Sequence, residues 1–358
     1  MSNYQVEDVL KALSHVDDPD LHKDIVSLGM VRDIKVEQNQ LFFSVYLTTP
    51  ACPMKDMIEN ACRNAIAHFI GEEIACEINM TADVSVNKKT NAIISNVKNI
   101  IAVGSGKGGV GKSTVSAGIA AVLAKSGAKV GLLDADIYGP SVPILFGVQN
   151  SEIEVVNKNG GELMLPVTVA GVKLFSIGFL SKPNEAVVWR GPMVSQAIKQ
   201  FITGVDWGDL DYLIVDLPPG TGDVQITITQ TLPLTGAVIV STPQNVAIAD
   251  ARKACAMFKM PSVNVPILGM VENMSYFIPE DAPDKKYFIF GKGGTKKLAE
   301  DYQTIVLGHL PINTRIMNDS DNGKIYDEQN LEFFTEIAGS LVRQIAILNN
   351  QQNSSSNG

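Results

Sequence analysis

The pattern G-x-x-x-x-G-K-S, running from Gly106 to Ser113 directly behind the apolar run Ile-Ile-Ala-Val that begins at Ile100, constrains this chain more than any other feature. A glycine-rich turn that closes a buried strand and opens a helix lets successive backbone N–H groups converge on phosphate oxygens, with the positive end of the helix behind them. On this reading Gly106, Lys107, Gly108, Gly109, Val110, Gly111, Lys112, Ser113 and Thr114 form a nucleotide-binding set. Lys112 neutralises the terminal phosphates, and the Ser113 hydroxyl takes one position on Mg²⁺.

From Ile100 onward, short apolar runs (IIAVG, KVGLLD, YLIVDLP, AVIVSTP, PILGMVEN) alternate with helical stretches. Buried strands separated by helices imply parallel pairing through right-handed crossovers. The fold class expected is therefore α/β, a P-loop NTPase with a mainly parallel sheet flanked by helices. Residues 1–85 have a different rhythm. A helix over 4–14, strands over 31–36 and 41–48, a helix led by Pro53 and an alternating stretch over 74–80 describe a small α+β domain. Residues 86–99 read as a linker, 100–345 as the ATPase domain and 346–358, ending NNQQNSSSNG, as a disordered tail.

Acidic residues close two of the later strands. Asp134 and Asp136 lie two apart, so an extended chain points them the same way, at the carboxyl edge where open α/β sheets bind ligands. Asp216 ends the run YLIVD, and a charge closing a buried strand is costly unless it is ligated. Ser113, Asp134 and Asp216 make the expected Mg²⁺ set, with Pro218, Pro219 and Gly220 as a switch loop against the γ-phosphate. Asp223 serves equally well as a helix N-cap.

A net charge of −9, from 38 acids against 29 bases, argues against broad nucleic-acid binding, which rests on cations neutralising phosphates. The N-terminus has acids where a secretory leader has bases, and the apolar stretch from Val115 to Leu133 is interrupted by Lys125 and Lys129, so no membrane span and a cytoplasmic location are expected. Cys52, Cys62, Cys76 and Cys255 are scattered without a C-x-x-C pair, and His15, His22, His68 and His309 form no ligand spacing.

Two lysines in one turn, Lys107 and Lys112, call for extra negative charge facing them. The loop resembles the deviant Walker A of the MinD/ParA/NifH class, in which the first lysine reaches across a dimer interface. That resemblance implies a homodimer with Lys107, Lys112 and Asp136 as catalytic residues. LLDADIYGPS, VVWRGPM, IVDLPPGTGD and ENMSYF together look like the Mrp/ApbC-type ATPases, which carry iron–sulfur clusters. The resemblance implies ATP and Mg²⁺ as cofactors, Asp136 orienting the attacking water and Asn273 reading the adenine. It also implies a cluster of the [4Fe–4S] type, with apo iron–sulfur client proteins and assembly scaffold proteins as partners. LTTPACPMKD resembles the MIP-type domain of iron–sulfur assembly. Pro53 at a first helical position makes Cys52 the expected N-cap, where the helix dipole favours thiolate, a ligand for iron.

The chain departs from that family in one place. No C-x-x-C follows ENMSYF, and Ser275 stands where plastid-type relatives carry cysteine. Cys255 fits an apolar helix face with Ala251, Ala254 and Phe258. Cluster binding would then use Cys52 from more than one subunit, or a partner's thiols. Two other functions compete: a MinD/ParA-type positioning ATPase, which the base-poor segment after Leu341 disfavours, and an ATP-dependent adaptor that holds no cluster itself.

Overall fold

The computed structural model describes residues 4–37, 40–87, 94, 96–158, 161–180, 191–279 and 281–355. The chain divides into two compact units, Met1–Ser85 with Val342–Gly358, and Val86–Leu341.

In the first unit, α1 (Val6–Leu13) is followed by the short pair β1 (Asp17–Asp18) and β2 (Lys23–Asp24), then β3 (Val31–Glu37), β4 (Gln40–Leu47), α2 (Lys55–Phe69) and β5 (Ala75–Ala82). Strand β4 sits centrally, antiparallel to β3 and parallel to β5, so α2 is a crossover helix. Alternation explains the sheet: Leu41, Phe43, Val45 and Leu47 are all buried. Ile58, Cys62 and Ile66, each four residues apart, form the buried stripe of α2.

The second unit carries the large sheet. Its elements are β6 (Val97–Gly104), α3 (Lys112–Lys125), β7 (Val130–Asp134), α4 (Val142–Leu145), β8 (Val155–Lys158), β9 (Gly161–Met164), β10 (Val167–Val169), β11 (Val172–Ser176), α5 (Gly191–Thr203), β12 (Leu210–Asp216), α6 (Asp223–Thr231), β13 (Gly236–Ser241), α7 (Asn245–Lys259), β14 (Ile267–Glu272), α8 (Gly294–Asp301), β15 (Val306–His309), α9 (Thr314–Asp321) and the part of α10 (Glu328–Ser355) that precedes Val342. Eight strands pair in the order β10-β11-β7-β12-β6-β13-β14-β15, parallel throughout except for β10 at one edge. Strands β7 and β13 are buried at every residue, which is why they read as unbroken apolar runs. Helix α3 is buried continuously from Val115 to Leu123, so the longest apolar stretch of the sequence is a core helix leading into a core strand. Among the described residues no helix is long and apolar enough to cross a membrane.

The C-terminal end differs from expectation. Helix α10 continues to Ser355, where a disordered tail from 346 was anticipated. Val342, Ile345 and Ala346 are buried at helical spacing, and the Asn349 amide binds the Ser85 carbonyl at 3.3 Å and its hydroxyl at 3.0 Å. Apolar burial and the Asn349 anchor carry the helix into the glutamine- and asparagine-rich stretch.

Candidate functional site

Sheet register sets the site. Asp216, last residue of β12, lies opposite Val103 of β6 on one side and Asp134 of β7 on the other. The loop between β6 and α3 therefore opens beside two strand-terminal carboxylates. Two of its glycines are obligatory for different reasons. A Cβ on Gly106 would fall 2.0 Å from the Asp250 carbonyl carbon, and one on Gly111 would fall 2.1 Å from Asn273 Nδ2 at a φ of +82°. Gly109, also at positive φ, has open space where a side chain would stand, leaving the mouth of the turn clear.

Asp216 is the hub, with no solvent exposure. Its Oδ2 lies 2.8 Å from Lys112 Nζ and 2.5 Å from Ser113 Oγ, and its Oδ1 lies 2.7 Å from Ser116 Oγ. Lys112 Nζ also approaches Asp136 Oδ2 at 3.7 Å. A buried carboxylate is tolerable only with partners of this kind. Ser116 went unnoticed in the sequence. It lies one helical turn beyond Lys112, and its serine-for-alanine signal is weak inside an apolar helix. The hydroxyl and carboxylate oxygens of Ser113 and Asp216 are the hard donors Mg²⁺ takes, and the turn at Gly109 leaves space beside them, so the residues present fit a magnesium-bound nucleotide.

Asp134 is placed differently from its expected metal role. Its Oδ1 accepts the Asp136 N–H at 3.1 Å, and its Oδ2 accepts the Val142 N–H at 3.1 Å and the Ser176 hydroxyl at 3.0 Å. The chain after β7 folds back and occupies both oxygens. Burial, together with the Asp216 charge, pushes its pKa up to about 7. Asp136 is also raised, by burial first, against the pull of Lys112.

The segment after β12 is strapped to the phosphate loop. Gly220 donates its N–H to the Ser105 carbonyl at 2.9 Å. Gln225, nearly sealed from solvent, donates from Nε2 to the Pro218 carbonyl and accepts the Gly222 N–H on Oε1 at 2.9 Å. Gln225 was also missed: its place three residues after the N-cap Gly222 is a local capping signal, while nothing nearby marks its bond to Pro218, seven residues back. Gly222 is the N-cap of α6 and Asp223 its first residue. Asn273, at the end of β14, donates to the Val110 carbonyl at 2.9 Å and accepts the Met274 N–H at 2.9 Å, so its amide grips the loop backbone. Lys107 is half-buried, and its carbonyl accepts the Ser105 hydroxyl at 3.0 Å. Trp189 and Arg190 of the VVWRGPM segment lie outside the described residues.

The thiols overturn one expectation. Helix α2 begins at Lys55 with Met54 as its N-cap, because Cys52 and Lys55 first close a turn through the Cys52 carbonyl. Cys52 is therefore not the cap, and burial raises its pKa, with Asp20 and Asp18 adding to the rise. Burial pushes Cys62 and Cys255 up to about 12 and Cys76 to about 11. Among the described residues no group of three or more His, Cys, Asp or Glu is arranged to hold a metal ion.

Comparison with known proteins follows the same lines. A family model described as ParA, NUBPL iron-transfer P-loop NTPase, matches residues 96–346, and one described as iron–sulfur cluster assembly protein matches residues 6–75. The iron–sulfur cluster carrier protein of Synechocystis sp. is 47% identical over 317 residues, covering 88% of this chain and 89% of that protein. The chloroplastic Fe–S cluster assembly factor HCF101 of Arabidopsis thaliana is 42% identical over 324 residues, covering 88% of this chain and 59% of that protein. A nucleotide-binding protein from Archaeoglobus fulgidus, solved in complex with ADP, is 39% identical with a TM-score of 0.57, covering 66% of this chain and 90% of that one.

Proposed function

The chain belongs to the NUBPL iron-transfer P-loop NTPase family, and from that premise we propose that it is an ATP-hydrolysing carrier that binds iron–sulfur clusters and transfers them to apoproteins. The observation that carries the nucleotide half is the convergence of Lys112, Ser113 and Ser116 on Asp216 at the mouth of the glycine loop. Carriage of the cluster is supported by the carrier and assembly-factor relatives.

In this reading the backbone N–H groups of Gly106–Thr114 hold the triphosphate, and Lys112 leaves Asp216 to bind its terminal oxygens. Ser113, Asp216 and Asp134 would hold Mg²⁺, which would supply charge neutralisation on the phosphates. Asp136 orients the attacking water. Lys107 reaches the nucleotide of a second subunit, so the working form is a homodimer, and Asn273 reads the adenine while anchoring the loop. Gly220 senses the γ-phosphate and, through its bond to the Ser105 carbonyl, reports its loss. The ATPase domain is taken as 100–345 and the small MIP-type domain as 1–85, joined by 86–99, in a protein working in the cytoplasm with scaffold proteins and apo clients. The cargo is proposed as [4Fe–4S]. With Cys52 half-buried and held toward the thiol, its part is as a ligand exposed by rearrangement, shared between subunits or with a partner's thiols.

The test is anaerobic reconstitution followed by transfer to an apo-acceptor, with and without Mg-ATP. ATP-dependent acquisition of acceptor activity supports the proposal. A protein that hydrolyses ATP yet holds no iron and transfers none is an adaptor, and the carrier reading fails. Cys52→Ala, if it still holds and passes on a full cluster, removes that ligand.

A further inference from the structure

Alongside β15, the edge strand of the large sheet, lies a cavity of about 670 Å³, lined from Thr304 and Val306 at the strand's amino end to His309 at its carboxyl end, that shares none of its lining residues with the nucleotide site. The volume is within the range of about 300–1,000 Å³ usual for small-molecule sites.

Two chemistries line it. Tyr276, Phe288, Ile305 and Val306 supply apolar surface, while Lys286, Lys292, Lys296 and His309 supply cations. Lys286 Nζ lies 4.4 Å from the centre of the Tyr276 ring, and Lys292 Nζ lies 4.8 Å from that of Phe288. Both ammonium groups are thus laid along aromatic faces, which hold cations in place without cancelling their charge.

The polar end of the cavity is built on a buried carboxylate. Glu272, 3% exposed, accepts the Thr295 N–H at 3.1 Å and the Ser275 hydroxyl at 3.2 Å, and lies 3.3 Å from His309 Nδ1. Its charge is consumed inside the protein. With Nδ1 held by Glu272, Nε2 is the imidazole nitrogen left for a ligand, and an imidazole so partnered favours its cationic form. Two further carboxylates, Glu300 and Glu336, line the cavity and are solvent-exposed, as are Lys286, Lys292 and Lys296, so water screens these charges alike; with Glu272 already bonded inside the protein, three lysines and His309 face these two acids. Apolar walls around a cluster of positioned cations match a ligand with a flat apolar body and a negative head, since charge-assisted bonds to a carboxylate or phosphate are the strong ones.

We propose that this cavity is a binding site for a small amphipathic anion, a planar apolar body bearing a carboxylate or a phosphate, independent of the nucleotide site. The full chain, saturated with Mg-ADP, is titrated with 1-naphthoate, 1-naphthyl phosphate and neutral 1-naphthalenemethanol, and binding is followed by calorimetry. Saturable binding of one anion per chain is expected, with the neutral analogue weaker by at least about tenfold. Whichever anion binds more tightly identifies the head group. In Lys292→Glu/Lys296→Glu the anion should also weaken by about tenfold or more while ADP affinity stays within about twofold. Ile305→Trp, which fills the apolar part without changing charge, should block binding as well. The proposal is overturned by the absence of saturable binding, by displacement of the anion with ADP, by equal binding of the neutral analogue, or by charge-reversed protein that binds ADP and anion as the parent does.

Discussion

Asn273 donates its side-chain amide to the carbonyl of Val110, 163 residues earlier in the chain, at 2.9 Å, and so ties the end of β14 to the phosphate loop. Asn273→Ala leaves that buried carbonyl without its donor, at a cost of about 1–3 kcal/mol. Affinity for ADP, measured by calorimetry, should fall about tenfold or more. Gly111→Ala should fare worse, since its methyl group meets the same amide at a backbone angle alanine avoids. Combining the two changes removes the clash but not the strained φ, so binding should recover only in part.

Lys107 offers the sharpest separation of binding from chemistry. Lys107→Ala should keep ADP affinity within about threefold while lowering kcat for ATP by roughly 10²–10³, as loss of a charge supplied to the transition state does. Mixing Lys107→Ala with a hydrolysis-dead Asp136→Asn chain should restore part of the activity if the lysine acts across a dimer. Absence of any recovery removes the in-trans role.

Gln225 braces the switch segment from both ends. Gln225→Glu keeps the acceptor for Gly222 but cannot donate to Pro218, and it buries a charge, so kcat should drop by about tenfold with nucleotide affinity nearly unchanged. Gln225→Met, which removes both bonds, should lower kcat further. Steady-state ATPase assays beside ADP titrations decide the matter.

The Glu272–His309 pair predicts a pH dependence. The hydrogen bond that His309 donates to Glu272 raises the imidazole, Glu336 adds to the rise and Lys286 opposes it. Burial alone would raise Glu272, but the bonds from His309 and Thr295 outweigh it and leave the carboxyl lowered. The His309 ring should therefore titrate above the usual value of about 6.5, and Glu272→Gln should bring it back down, as followed by proton NMR. The imidazole's stabilising contribution is fully present below its unfolded pKa and lost as pH rises through its raised folded pKa. The carboxylate's is lost as pH falls through its lowered one. The melting-temperature gap between parent and Glu272→Gln should accordingly narrow on the alkaline side.

Much of the fold was legible because buried parallel strands leave unbroken apolar runs, and β7, β12 and β13 are such runs. The glycine loop was legible because spacing alone specifies its backbone. What escaped depended on contacts distant in sequence or on local competition. Ser116 matters only because α3 passes beneath the end of β12, and Gln225 only because the chain turns back on itself after Pro218. Asp134 looked like Asp216, a carboxylate closing a buried strand. Its oxygens are claimed by backbone and hydroxyl donors that arrive after a turn the sequence does not announce. At Cys52 the proline signal was real but two residues early, and burial holds the thiol protonated.

The ion pair between Lys112 and Asp216 sets one positive charge against one negative beneath the loop. A bare polyanion that drew the ammonium away would strand a carboxylate in a dry interior, so phosphate or sulfate from the surroundings gains little by entering. A ligand that brings its own compensating cation leaves Asp216 paired, so the geometry favours a nucleotide that arrives with its metal.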